Sequence, residues 1–307
     1  MSLSEFWDFL VLGVVLGSLY AVIAIGYTLV YGVLQLLNFA HSEVFMFGGY
    51  GGLLALTALI PEATPSGLSS AGYVVIGMLA GAALGAAVAF VLERVAYRPL
   101  RRRNAPRLVF LITAIGASFF LYNLAGKLFG RNPLPMPSMY ENKRVVSVLG
   151  VELTITQVLI LVSAVAMMVL LDYVVSRTKM GSGIRAVAQD PEVAALMGVD
   201  IDKVVSRTFV LGGLLGGAAG FLFGTNSQVW YQMGFLPGIT AFAAAVLGGI
   251  GNVRGAMLGG LVLGVVETMT VGLWGDDWRY VGAFVVLVLV LMVRPTGILG
   301  ERLGRTA

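Results

Sequence analysis

The chain has 307 residues, of which 58% are hydrophobic and only 12% charged, with a mean hydropathy of +0.90; soluble domains carry about a quarter charged residues, so the solvent of most of this chain is a lipid bilayer. The absence of cysteine and the single histidine exclude disulfides, cysteine-zinc sites, thiol nucleophiles and paired-histidine metal sites within one chain. The net charge of +4 does not point to nucleic acid, because the basic residues cluster at the ends of apolar runs, where the positive-inside rule places them.

Residues 1–5 contain Glu5 and no Lys or Arg, so the first apolar run, 6–30, reads as a retained span entered from an outside N-terminus rather than as a cleaved signal. Residues 31–37 are too apolar and too short for an aqueous loop and lead straight into 38–60. A chain break inside the membrane is predicted here, tolerated only where protein or a watery cavity satisfies the backbone, and it makes this stretch a candidate pathway wall. After a polar loop at 61–70, the run 73–91 carries Gly77, Gly81 and Gly85 on one helix face, a packing stripe. Residues 93–107 hold six arginines and belong on the cytoplasmic side. The run 108–128 returns outward, and 129–152, with Pro133, Pro135 and Pro137 preventing regular helix, forms the longest external segment.

Residues 153–175 cross inward and 204–224 outward, the latter with Gly212, Gly216, Gly220 and Gly224 on a second stripe. A polar, aromatic hinge at 225–237 precedes 238–251, which at fourteen residues falls short of the roughly 20 needed to cross and reads as a half-span. Residues 256–273 run outward, Trp274 and Trp278 mark the outer interface, and 280–293 returns inside. The expected fold is an all-α integral membrane protein, a polytopic bundle of about eight transmembrane helices plus one or two broken or half-spanning segments, in a single transmembrane domain over residues 1–307. The inner regions then hold fourteen Lys or Arg and the outer ones five, with Arg254 unassigned. Residues 1–127 and 153–300 each contain a glycine-rich broken stretch, which suggests an internal repeat.

The long polar interruption, residues 181–204, is built like a docking element. Asp190 suits an N-cap, Pro191 the first helical position, Glu192 the positive helix start and Gly198 the stop, which predicts a short helix over 191–197. Val193, Leu196 and Met197 lie about a turn apart on one small apolar face, with Ala194 and Ala195 letting another surface approach. Inside the membrane, polar groups are costly and functional by default. The main set is Asn38, His41, Ser42 and Glu43. On a helix the first three share a face while Glu43 points about 100° away, so these groups either line a translocation pathway or hydrogen-bond the broken backbone. Glu267 is the other candidate for a buried acid, the alternative being that its place near the outer end lets it reach water. Thr225, Asn226, Ser227 and Gln228 form either a cavity mouth or a polar loop. The chain contains no GxxxxGK[ST], GxSxG or HExxH, so no P-loop, nucleophile elbow or zinc-protease helix is encoded.

Several separate stretches carry a resemblance: GSLYAVIAIGYTLVYGV (17–33), NFAHSE (38–43), ERVAYRPLR (93–101), the 181–204 loop, AFAAAVLGGIGNVRGAMLGG (241–260) and RPTGILG (294–300). Through these the chain resembles the branched-chain amino-acid permease family of ABC importers over nearly its whole length; Ser42 stands where that family is expected to have glycine. The resemblance implies a non-enzymatic permease subunit in a bacterial inner membrane, with the 181–204 coupling loop and the C-terminus in the cytoplasm. Arg185, Asp190, Pro191, Glu192, Ala195, Leu196, Met197 and Gly198 would couple to the ATPase. The implied partners are a second related permease or a second copy of this chain, two ATPase subunits and an external substrate-binding protein. The implied solutes are leucine, isoleucine and valine, with urea, short amides or other amino acids as alternatives. The chain itself would bind no cofactor, ATP and Mg belonging to the ATPase subunits. The rival class is a self-sufficient secondary transporter or channel using His41 and Glu43 as proton or cation sites.

Overall fold

A computed structural model of the chain describes residues 2–59, 68–141, 143–148 and 150–300; most of the expected 61–70 loop, and Arg302 and Arg305 of the tail, lie outside them. Helix α1, Leu3–Leu34, starts at a capping box in which the Ser2 hydroxyl accepts from the Glu5 N–H and the Glu5 side chain accepts from the Ser2 N–H. It ends at Gln35, whose left-handed backbone (φ 55°) breaks the chain where the sequence predicts a break. Helix α2 follows at His41–Leu59, and α3 at Leu68–Leu92.

The arginine-rich segment 93–107 is helical for most of its length. A five-residue π segment, Glu93–Tyr97, carries α3 into α4, Arg98–Arg102, because Glu93 and Tyr97 are buried against the rest of the bundle and hold the chain helical. Helix α5 spans Arg107–Phe129. The segment after α5, expected on the outside, lacks helix, as its prolines require, but it forms strands the sequence reading did not anticipate. The strand β2, Arg144–Val148, pairs antiparallel with β3, Val151–Thr154, and β1, Leu134–Pro135, pairs with β4, Gln228–Val229, fastening this segment to the chain just past Asn226. Thr225 and Asn226 therefore end a helix, and Gln228 lies in a strand. Helices α6 (Ile155–Arg177), α7 (Lys179–Gln189), α8 (Pro191–Leu196), α9 (Ile201–Asn226), α10 (Phe235–Gly248), α11 (Val253–Trp274) and α12 (Arg279–Val293) complete the chain.

Among the described residues, seven helices are long and apolar enough to cross a bilayer: α1, α2, the continuous α3–α4, α5, α6, α9 and α11. Helix α10, with 14 residues, is the short segment expected at 238–251; α12, expected as a full span, has 15. At 1.5 Å per residue both cover only about two-thirds of a 30 Å hydrocarbon core. The centre is made by α1, α2 and α9, whose apolar stretches are 72% buried, while only 17% of the corresponding stretch of α5 is covered.

The glycine stripes explain how the central helices come so close. Gly81 and Gly85 of α3 meet Gly217 and Gly213 of α9, and a Cβ added at Gly81 would lie 2.8 Å from the Gly48 carbonyl oxygen and 2.9 Å from that of Gly217. Backbone lies directly on backbone here, which is how helices associate where the solvent offers no hydrophobic drive. The stripe Gly212–Gly216–Gly220 faces α1 and α2 instead.

Candidate functional site: the α7–α8 projection and the buried polar cluster of α2

The cap residues of α8 do what their chemistry predicts. The Asp190 carboxylate accepts from the N–H groups of Glu192 (2.9 Å) and Val193 (3.0 Å), with Pro191 at the first turn. At the other end Gly198 adopts φ +84°, a region open to glycine, while its N–H donates to the Ala195 carbonyl and that of Val199 to the Ala194 carbonyl. Both helix ends are thus satisfied within ten residues, and six residues of helix stand out from the body of the protein.

Its faces differ from the expectation at one residue. Ala194 is buried in one apolar cluster with the chain's own Ile184, Val187, Val205 and Phe209, so its small size seats α8 on α7 and α9 rather than admitting a partner. The outward face carries Val193 together with Leu196 and Met197, which are 86% and 80% exposed; Glu192 and Ala195 are also exposed. Helix α7 was not predicted, because its Gly181 and Gly183 read as loop. It forms because it is amphipathic: the Thr178 hydroxyl caps it by accepting from the Gly181 N–H, and Ile184 and Val187 face inward. Gly181 lies against the Val174 and Val175 carbonyls, where any side chain would collide. Arg185 folds back to donate to the Val175 carbonyl, closing the exposed end of α6. At the start of α9 the Asp200 carboxylate accepts from the Lys203 N–H (3.0 Å) and pairs with its ammonium (2.9 Å), which holds that carboxyl below the usual carboxylate range.

Asn38, His41, Ser42 and Glu43 are all buried. Asn38 does not share a helix face with His41 and Ser42: it sits in the turn before α2, its carbonyl accepting from the His41 N–H (3.1 Å) and its side-chain oxygen from the Tyr97 hydroxyl (2.7 Å). His41 packs edge-on to Tyr27, 4.9 Å between ring centroids, against Gly26 and Gly216. Ser42 donates to the Phe39 carbonyl (2.8 Å), and the space its side chain needs is supplied by Gly238 of α10 opposite. Glu43 turns toward α5, where Oε1 accepts from Ser118 (3.0 Å) and lies 3.2 Å from the Ser42 hydroxyl; its Oε2 has no hydrogen-bond partner among the described residues. One polar set thus satisfies the broken backbone and also leaves a carboxylate oxygen in reserve.

Two ion clusters were not assigned from the sequence. Asp202 accepts from Arg98 (2.8 Å), Arg101 (2.5 Å) and Arg102 (2.9 Å), and the buried Glu93 accepts from Ser206 (2.7 Å) and Arg101 (3.3 Å), tying α4 to α9. Glu267, the other candidate for a buried acid, is fully buried: it accepts from Tyr20 of α1 (3.1 Å) and lies 3.7 Å from Arg279 at the start of α12. Arg254, unassigned above, pairs with Asp172 of α6 (3.0 Å), five residues before that helix ends.

Apolar spanning helices packed on glycine, a buried polar break, and a capped helix projecting on one side define a polytopic membrane transport subunit. The chain belongs to the family described as the permease component of branched-chain amino acid transport systems, which matches residues 9–293. It is 40% identical over 293 residues to the high-affinity branched-chain amino acid transport system permease protein LivH of Escherichia coli (strain K12), covering 94% of each chain. It is 42% identical over 297 residues to the corresponding protein BraD of Pseudomonas aeruginosa, covering 95% of each. It is 26% identical to a probable branched-chain amino acid transport permease protein LivH of Methanocaldococcus jannaschii, covering 94% of this chain and 90% of that one.

Proposed function

We propose that this chain is the membrane-spanning permease of an ATP-driven importer of leucine, isoleucine and valine in a bacterial plasma membrane. The observation that carries the proposal is the identity of 40% across 94% of the chain to a high-affinity branched-chain permease. In this reading the permease pairs with a second related permease or with its own copy, receives solute from an external binding protein, and binds no cofactor itself. Two ATPase subunits, which hold ATP and Mg, dock on α8; its exposed Val193, Leu196 and Met197 supply an apolar knob of the size a groove on a partner accepts. The arginine segment, the α7–α8 projection and the C-terminus lie in the cytoplasm, and the N-terminus lies outside. Asn38, His41, Ser42 and Glu43 form a polar patch beside the pathway in an otherwise apolar wall.

The test is reconstitution. Vesicles containing this permease, its partner permease, the ATPase subunits and the binding protein take up radiolabelled leucine only with ATP inside the compartment that bears α8. Uptake by this chain alone, driven by a proton or cation gradient, overturns the importer reading in favour of a secondary transporter; urea or amide uptake in preference to leucine overturns the substrate assignment.

A further inference from the structure

The exposed face of α3 is an apolar stripe that ends in arginines. Val75, Leu79, Phe90, Val91 and Val95 are exposed along it, and from Leu79 to Val95 it covers about 24 Å at 1.5 Å per residue, most of a hydrocarbon core. Directly beyond lies a surface pocket of about 600 Å³ lined by Arg94, Arg98, Pro99, Arg102 and Arg103. The π segment is what brings them together: its wider turn re-phases the helix so that Arg98, Arg101 and Arg102 all reach Asp202 while Arg94 stays on the apolar face, its guanidinium 5.8 Å from the centre of the Phe90 ring. The cluster holds more donors than acceptors. Three guanidiniums share the one Asp202 carboxylate, Arg94, Arg103 and Arg207 have no acidic partner among the described residues, and Arg101 Nη1 is a buried donor with no acceptor there. A second recess of about 190 Å³ shares Arg94 and Arg98 and adds Lys203 and Arg207 beside Asp202 and Ser206.

We infer that this pocket binds the phosphate headgroup of an anionic phospholipid from the cytoplasmic leaflet, whose acyl chains lie on the stripe of α3. Guanidinium forks match phosphate oxygens bidentately, and a basic cluster at the headgroup level is attracted to anionic lipid. The apolar stripe that runs unbroken into the pocket selects a lipid over a soluble phosphate, because only the lipid fills both. The occupied pocket locks α4 to the start of α9 two residues from Asp200, so the lipid steadies the base on which α8 stands. This inference rests on the cytoplasmic orientation proposed above.

The experiment is native mass spectrometry of the purified complex after exchange into vesicles of equal phosphatidylglycerol and phosphatidylethanolamine, compared with Arg94→Gln/Arg103→Gln. These two arginines hold no ion pair in the fold, so the variant is expected to keep its thermal midpoint. The wild type retains phosphatidylglycerol in excess, and the variant binds it about 30-fold more weakly, at roughly 1 kcal/mol for each arginine removed. An Arg94→Lys/Arg103→Lys variant, which keeps both charges, recovers most of that loss. Equal retention by wild type and the Gln variant, or no preference for phosphatidylglycerol in the wild type, overturns the inference. Displacement by millimolar inorganic phosphate overturns it in favour of a soluble anion. Unchanged lipid with release of ATPase subunits overturns it in favour of an acidic protein surface. Orientation is read separately by Asn104→Cys, a unique thiol in this chain: labelling by an impermeant maleimide only after the vesicles are opened places it inside, and labelling from outside refutes the orientation whatever the lipid result.

Discussion

Gly217 is where α2, α3 and α9 meet, and replacing it with alanine tests whether backbone contact holds the bundle together. A Cβ there would press on the Gly81 carbonyl, with the Gly81 carbonyl carbon at 3.0 Å and the Ala82 Cα at 3.1 Å. The obstructing atoms are backbone rather than flexible side-chain ends, so the helices themselves must separate. Overpacking of this kind costs about 1–3 kcal/mol. Against it stands the gain from replacing glycine inside a helix, about 0.5–1 kcal/mol, so the expected net loss is about 0.5–2.5 kcal/mol. Gly116 is the control: it lies within α5 with nothing within 4 Å of its missing Cβ. Gly116→Ala should therefore collect the helix-propensity gain without the clash. Thermal unfolding of the purified chain in one detergent, followed by tryptophan fluorescence, should show Gly217→Ala melting several degrees below wild type and Gly116→Ala at or above it, at about 2–4 °C per kcal/mol for a chain of this order of size. Equal midpoints for the two variants would refute the reasoning, because the only relevant difference between the sites is what lies opposite.

Leu196→Asp alters a side chain that is 86% exposed and touches nothing the fold needs, so insertion and thermal midpoint should hold within about 0.5 kcal/mol; co-purification of ATPase subunits should fall more than tenfold, since an apolar anchor worth about 1.5–3 kcal/mol is replaced by a charge. Glu43→Gln keeps an oxygen for Ser118 and Ser42 while removing the charge, so ATP-driven uptake should persist with an unaltered pH profile; a profile that shifts with the substitution would revive proton or cation coupling at this site. Tyr97→Phe deletes the hydroxyl that donates to Asn38 at 2.7 Å and leaves a buried acceptor unpaired, at a cost of about 1–3 kcal/mol. A double-mutant cycle with Asn38→Ala in the same unfolding assay should return most of that cost as coupling energy, and additive losses would show that the pair does not interact.

How much of this was legible depends on the kind of signal. The spans α1, α5, α6, α9 and α11 follow from continuous apolar runs, and α8 was readable almost to the residue because Asp190, Pro191 and Gly198 punctuate it. Helix α7 was hidden because its two glycines obey a tertiary demand, the contact with the α6 carbonyls, that no local propensity reports. The helix of the arginine segment had no local signal for a related reason: only the distant Asp202 and the buried Glu93 reveal why it is helical. Pairings such as β1 with β4, or Tyr20 with Glu267 across 247 positions, leave no local trace at all. Of the polar set, burial was foreseeable but direction was not, since the break at Gln35 places Asn38 in a turn rather than on the helix.

These pieces connect physically. Ala194 seats α8 on Ile184, Val187 and Phe209; the Phe209 ring lies 5.2 Å from that of Tyr97, and Tyr97 in turn holds Asn38 at the break before α2. Two turns further along the same face of α9, Gly216 lies against His41, 3.2 Å from its ring to the missing Cβ. A push on α8 therefore reaches the polar break by two routes through one helix, and neither contains a flexible side chain that could absorb it. Packed interiors transmit displacement because they cannot compress, and glycine-on-backbone contacts are the stiffest form of that packing. The close packing of α9 thus joins the surface that carries α8 to the polar break before α2.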